Sequence, residues 1–300
     1  MVKAFALFIS LTMINITQLR QYFLSLALLQ FLHVCAIPSG LNRNLSNLNS
    51  TGHIDSLIVN GERSVDRSFF VKVITLEVAT FTYVDFCGGF IHSSRAWIIT
   101  AAHCVYDYGP EAVIVEYRDF SSPTTYKHLY SVNRIRIAPG FSWYTRYNNL
   151  ALLRLYHKIE ARHFFHLPLC SEEQPHGTRM GTCGLGSTST GVHEYPEVLM
   201  ETYFREAKFL TSGLLSFDWC REDNVCGTPI VQGSNICAMD EGGPLFLTYC
   251  DSSVPTCLYG IGSFFTNRDG SEFFRCNGHS VFTNIPKMKS WIEQTTEVFS

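Results

Sequence analysis

Eleven cysteines in 300 residues confine this chain to folds that mature in an oxidising compartment, because thiols at that density survive as disulfides only there. Cys35 closes an apolar N-terminal region. Its loss with a cleaved leader leaves ten, an even number that permits up to five disulfides, with a free reactive thiol as the alternative. The ten are scattered from Cys87 to Cys276, so they staple a large body. A hydrophobic content of 46% and an aromatic content of 14% supply the core such a body needs.

The N-terminus carries two apolar runs, Ala4 to Ile16 and Tyr22 to Ala36, divided by Gln18, Arg20 and Gln21. Each falls short of the ~20 residues that span a bilayer. Val34-Cys35-Ala36 has the small residues of a leader cleavage site, so residues 1–36 read as a signal peptide. Met13 is an alternative start, and an uncleaved anchor is the alternative reading. Residues 37–57 are polar and cysteine-free, and they carry two N-glycosylation acceptors, Asn44 in Asn44-Leu45-Ser46 and Asn49 in Asn49-Ser50-Thr51. They read as a propeptide or linker. With 23 basic against 26 acidic residues, the chain has no charge surplus to attract nucleic acid or an anionic membrane. The sequence shows no metal-ligand spacing and no cofactor motif, and His163 and His166 read as surface or packed residues.

From residue 58 onward the pattern is all-β. Ala112 to Tyr117, Ser131 to Ile137, Leu150 to Leu155 and Leu258 to Phe265 are short runs rich in β-branched and aromatic residues, separated by Gly, Pro, Asn and Ser. Only the C-terminus has helical periodicity, with Met288, Trp291, Ile292 and Thr295 recurring on one face after Pro286.

Three segments narrow the reading. Cys87-Gly88-Gly89-Phe90-Ile91 precedes Trp97-Ile98-Ile99-Thr100-Ala101-Ala102-His103-Cys104; Asn148-Asn149-Leu150-Ala151-Leu152-Leu153 follows; and Cys237-Ala238-Met239-Asp240-Glu241-Gly242-Gly243-Pro244-Leu245 comes later. Together they resemble the histidine, aspartate and serine segments of chymotrypsin-like serine proteases. The resemblance covers residues 58–300 and implies two antiparallel six-stranded β-barrels with a short C-terminal helix and a cleft between the barrels. It implies disulfides Cys87 to Cys104, Cys220 to Cys226 and Cys237 to Cys276. Cys170, Cys183, Cys250 and Cys257 remain, with three possible connectivities.

The same alignment shows a degenerate triad. His103 is retained, Asn149 stands where the family has the orienting aspartate, and Glu241 stands where it has the nucleophilic serine. A glutamate has no hydroxyl to acylate, and a neutral amide cannot stabilise an imidazolium as a carboxylate does. Met239 replaces a glycine whose N–H serves the oxyanion hole, and its side chain is expected to restrict that peptide and crowd the hole. His103 and Glu241 are expected to form a hydrogen-bonded ion pair in the vacated cleft.

By the same resemblance, Asn235 occupies the floor of the specificity pocket, where trypsin-like members carry an acid. Ser263, Phe264 and Phe265 line it, with Phe265 where glycine leaves the entrance open, and Ser280 replaces a glycine of the opposite wall. Ile58-Val59-Asn60-Gly61 resembles an activation terminus, and Asp240 the partner of its freed amine, but Leu57 precedes it in place of Arg or Lys. The resemblance therefore implies a secreted serine protease homologue without nucleophile or orienting acid, binding a protease, zymogen or inhibitor outside the cell. The competing function is a secreted endopeptidase of atypical residual activity, resting on His103, Asp240 and Ser263.

Overall fold

In the computed structural model the described residues are Ile58 and 61–298, apart from 65–66, 120–125, 162–163, 188–194, 208–219, 250–251, 266–275 and 277. The leader, the linker with Asn44 and Asn49, His163, and Cys35 and Cys250 lie outside them.

The first barrel closes six strands in the order β2-β3-β4-β7-β6-β5. These are β2 (Phe70–Glu77), β3 (Thr82–Ile91), β4 (Trp97–Thr100), β5 (Val113–Arg118), β6 (Lys127–Ile137) and β7 (Ala151–Leu155). The period-two rule is plain in β2, where Val71, Val73 and Thr75 are buried and Lys72, Ile74 and Leu76 are only partly covered. The second barrel is the six-strand ring β8 (Arg179–Gly184), β9 (Met200–Glu206), β10 (Asn224–Pro229), β13 (Ser280–Asn284), β12 (Pro255–Phe265) and β11 (Pro244–Thr248), closed where β11 meets β8. A short β1 (Glu62–Arg63) adds to β9. All ladders are antiparallel. This is the expected two-barrel architecture, and the strand boundaries differ from the sequence expectation by only a few residues.

One apolar cluster runs from the first barrel through Phe246, Leu258 and Ile261 to Ile285 and Ile292. The last two belong to α1 (Ile285–Val298), which rests Met288 and Trp291 on the same cluster. The helix buries Thr296 where the sequence pointed to Thr295. The Thr296 hydroxyl donates to the Ile292 carbonyl at 2.9 Å, so the buried polar group is satisfied within the helix.

Disulfides join Cys87 to Cys104, Cys170 to Cys257, Cys220 to Cys226 and Cys237 to Cys276. The second of these resolves part of the connectivity that spacing left open. The expectation that Cys183 pairs needs correction, because it is unpaired and buried in β8. Burial pushes its thiol well above the usual range, so it behaves as a small apolar residue instead of a reactive thiol.

A buried ion pair fastens the N-terminal segment to the second barrel. Arg67 Nη2 lies 3.0 Å from Glu201 Oε2, with both side chains about 5% exposed or less. Ser64 Oγ donates to Glu201 at 2.7 Å and Arg67 also donates to the Ser253 carbonyl at 3.0 Å. Removing one partner of such a pair strands the other charge out of water. Arg67→Ala is therefore expected to lower stability by about 3–5 kcal/mol in equilibrium denaturant unfolding.

Candidate functional site

Three connections place the site at the barrel junction. A tight turn at Ala102–Cys104 follows β4 and presents His103, with the Cys87 to Cys104 disulfide tying the turn to β3. Asn149 precedes β7 and is fully buried. The loop 237–243 leads into β11 and is fixed from both sides. Gly88 N–H donates to the Glu241 carbonyl at 2.7 Å, and Gly242 N–H donates to the Gly262 carbonyl at 2.8 Å. Gly242 cannot be another residue here. Its φ is +78°, and a Cβ would come within 2.4 Å of both the Gly88 carbonyl and the Thr100 hydroxyl.

The structure brings His103 and Asn149 together, and the hydrogen-bond chemistry fixes how they meet. The His103 backbone N–H can only donate, and it lies 3.0 Å from Asn149 Oδ1. That contact orients the amide. Asn149 Nδ2 then donates to Ser263 Oγ at 2.8 Å and lies 2.9 Å from His103 Nδ1, while Asn149 Oδ1 lies 3.2 Å from the same Nδ1. The shorter approach, from Nδ2, assigns Nδ1 as the acceptor and the ring proton to Nε2. The ring offers the cleft a donor, whereas a general base must offer a lone pair. Desolvation first, and then the charge of Arg146, lower the His103 pKa to about 3; Asn149 opposes them, because its Oδ1 would accept from an Nδ1 that gained a proton.

His103 and Glu241 do not form the expected ion pair. His103 is held neutral, and the Glu241 carboxylate turns to the backbone instead. Glu241 Oε2 accepts the Met239 N–H at 2.8 Å, and the carboxylate also draws on its own N–H. Burial raises its pKa to about 7, opposed by these two N–H groups and by Arg146. An acceptor thus occupies N–H groups of the kind that, in acyl transfer, receive an oxyanion. Met239 carries the left-handed φ of +76° that favours glycine, and its side chain packs against the main apolar cluster. The Met239 N–H itself donates to the Glu241 carboxylate.

Asp240 sits deeper. Its Oδ1 accepts the Gly186 N–H at 2.8 Å and its Oδ2 the Cys237 N–H at 3.0 Å. Burial still raises its pKa to about 7. Ile58 is buried with a φ of +62°. Its carbonyl accepts the Gly61 N–H at 2.6 Å, and no hydrogen bond joins it to Asp240.

Asn235 and Ser280 are both fully buried, and the Ser280 hydroxyl donates to Asn235 Oδ1. Ser263 is buried beside Asn149. Phe264 and Phe265 are partly covered, and Phe265 leans on the apolar cluster of the second barrel that includes Ile236. Sequence reading missed the loop beside His103. There Trp143 meets the imidazole edge-on with ring centroids 6.1 Å apart, and the Arg146 guanidinium lies 4.3 Å over the Trp143 ring. The run Phe141-Ser142-Trp143-Tyr144 was the available signal. The ligand atoms of Cys87, His103 and Cys104 lie within 4.8 Å of one another, but both sulfurs are consumed in the disulfide and offer no thiolate to a metal.

Residues 58–292 match the family model described as Trypsin. The chain is similar to a trypsin of Phaedon cochleariae, 26% identical with 71% of this chain and 80% of that protein covered. It is likewise similar to a tryptase of Mus musculus, 29% identical over 70% of this chain and 78% of the relative. A solved structure of GrC superposes with a TM-score of 0.64 at 20% identity, covering 80% of this chain and all of that one.

Two measurements check the geometry. The His103 ring is expected to show a single tautomer protonated at Nε2 by nitrogen NMR, with no titration between pH 8 and 5. Asn149→Asp is expected to move the proton to Nδ1 and raise the pKa. For Glu241 the unfolded carboxyl ionises near 4.5 and the folded one near 7, so the fold bears a growing cost of buried charge across that interval. Glu241→Gln removes the charge and keeps an acceptor for Met239. Its stability relative to the natural protein is expected to rise from no difference at pH 4 to about 1–2 kcal/mol at pH 8 in denaturant melts, less than the full shift because Glu241 is partly solvated.

Proposed function

The chain belongs to the trypsin family, and from that premise we propose that it is a secreted member without proteolytic activity that acts by binding another protein. The observation that carries this reading is the seat of the Glu241 carboxylate on the Met239 N–H. A peptide substrate needs a hydroxyl at that position, a lone pair on the histidine and an empty oxyanion hole. Here the hydroxyl is absent, Nε2 carries the proton and the hole holds a carboxylate.

The magnitudes favour this reading over residual catalysis. In a serine protease, exchanging the orienting acid for its amide costs about 10⁴-fold in kcat, and in subtilisin the loss of the serine costs roughly 10⁶-fold. These losses do not add, since the groups act as a unit, yet either is enough to bring turnover near background. The retained His103, Asp240 and Ser263 keep the scaffold of the site without its chemistry. The burial of Asn235 against Ser280 further argues against a preference for Lys or Arg. The partner class is an extracellular protease, zymogen or inhibitor, engaged through a scaffold whose fold outlives its reaction.

Hydrolysis of a peptide library by protein beginning at Ile58 tests the proposal. The natural protein and the single variant Glu241→Ser are both expected to be silent, because Asn149 still holds the histidine in the wrong tautomer. The triple variant Glu241→Ser, Asn149→Asp, Met239→Gly is expected to gain turnover. Hydrolysis by the natural protein that disappears in His103→Ala would refute the reading.

A further inference from the structure

Residues 77–85 form the tip of the β2–β3 hairpin and are exposed without interruption. A solvated hairpin tip is ordinarily built from Gly, Asn and Asp. This one presents Val78, Phe81, Tyr83 and Val84, at 48%, 70%, 52% and 50% exposure. Phe81 is the sharpest departure, since it adopts a φ of +53°, a conformation that strains a bulky side chain and suits glycine. A strained aromatic left in water contributes nothing to folding, so its presence points outward, to a ligand.

The tip is also tied together by its own hydrogen bonds. Phe81 N–H donates to the Glu77 carbonyl at 2.7 Å. Thr80 Oγ1 donates to Glu77 Oε2 at 2.8 Å, and the Thr80 and Thr82 hydroxyls lie 2.7 Å apart. Asp85 pairs with Thr75 and Tyr83 with Leu76, so a register shift leaves Val84 as an extra residue in β3. Such a bulge re-aims side chains, here Tyr83 and Val84, toward solvent. A surface already ordered gives up little entropy on docking.

Charge defines the occupant. From Val78 to Val84 the tip carries no charge, and Glu77 and Asp85 bracket it. Lys72 is the one Lys or Arg between Phe70 and Ile91, and its Nζ is held at the base of the tip, 3.7 Å over the Phe86 ring and 5.7 Å from the Tyr83 ring. We propose that residues 77–85 are a docking knob for a protein partner whose surface has an apolar pocket rimmed by Lys or Arg. A second copy of the chain fits worse, because pairing two tips brings their carboxylates together. A lipid surface fits worse too: an anionic one repels Glu77 and Asp85, and a neutral one makes no use of them. The Asp85 charge reaches the cleft, where it helps to raise the Glu241 pKa, but Val78, Phe81, Tyr83 and Val84 take no part in the reading of the cleft, and the proposal stands or falls independently of it.

Selection from a random displayed peptide library on the immobilised natural protein, with Phe81→Gly as the counter-selection, tests it. Glycine suits the local backbone, so this variant is expected to melt at or above the natural temperature, and lost binding is then not lost folding. The expected peptides carry aromatic or aliphatic residues flanked by Lys or Arg. Their affinity is expected to fall at least ~30-fold in Phe81→Gly, and several-fold in Glu77→Gln with Asp85→Asn or in raised salt. Peptides lacking basic residues, or equal binding to Phe81→Gly, would overturn the proposal. So would Phe81-dependent adsorption to phosphatidylcholine vesicles or Phe81-dependent dimerisation in sedimentation, which would assign the knob to a lipid or to a second copy.

Discussion

The bond from the Met239 N–H to the Glu241 carboxylate governs what the rest of the cleft can be. Two methylenes separate the Glu241 Cα from its carboxylate, which is enough reach to fold the charge back onto the loop it springs from. The loop can hold its shape because Gly242 passes close to Gly88 and Thr100, and because Gly88 and Gly262 fasten it to both barrels. With the carboxylate seated, the loop's N–H groups have a resident acceptor, and a charge in a poorly solvated place is partly compensated.

The partner of this arrangement is the amide of Asn149. Its donation to His103 Nδ1 turns the imidazole from a base into a donor, while the Ser263 hydroxyl and the His103 backbone N–H complete its hydrogen bonding. Both ends of the Asn149 amide are thereby satisfied. This differs from a site that has merely lost one residue. A lone Glu241→Ser exchange would place a hydroxyl beside a ring whose facing nitrogen is already protonated. On the proposed reading, restoring hydrolysis calls for the amide and the nucleophile position to change together, in line with the non-additivity of groups that act as a unit.

The sequence made the fold legible because its signals are local. Alternating β-branched runs specify strands, and the helical face after Pro286 specifies the C-terminal helix. Cys87 with Cys104, and the His103, Asn149 and Glu241 positions, stand in short segments whose spacing survives wide divergence. What escaped were facts of three-dimensional proximity. Nothing in the string says that the Glu241 side chain reaches back to Met239 in preference to His103; that choice depends on the desolvation of both groups and on Arg146, whose loop was unread. Cys183 looked like one of ten pairing partners, and only its burial within β8 away from Cys170 and Cys257 shows otherwise. The strained Phe81 was invisible because φ is set by the turn that Glu77, Thr80 and Thr82 build together.

The most direct measurement is a carbon NMR titration of the Glu241 carboxyl, followed with the amide of Met239 in the same samples. The account requires a midpoint near 7, far above an ordinary glutamate, with the Met239 N–H shifting at the same midpoint because the two share a hydrogen bond. A midpoint near 4.5 with an unmoved Met239 amide would mean that the carboxylate points into water, and that the oxyanion hole is not filled from within.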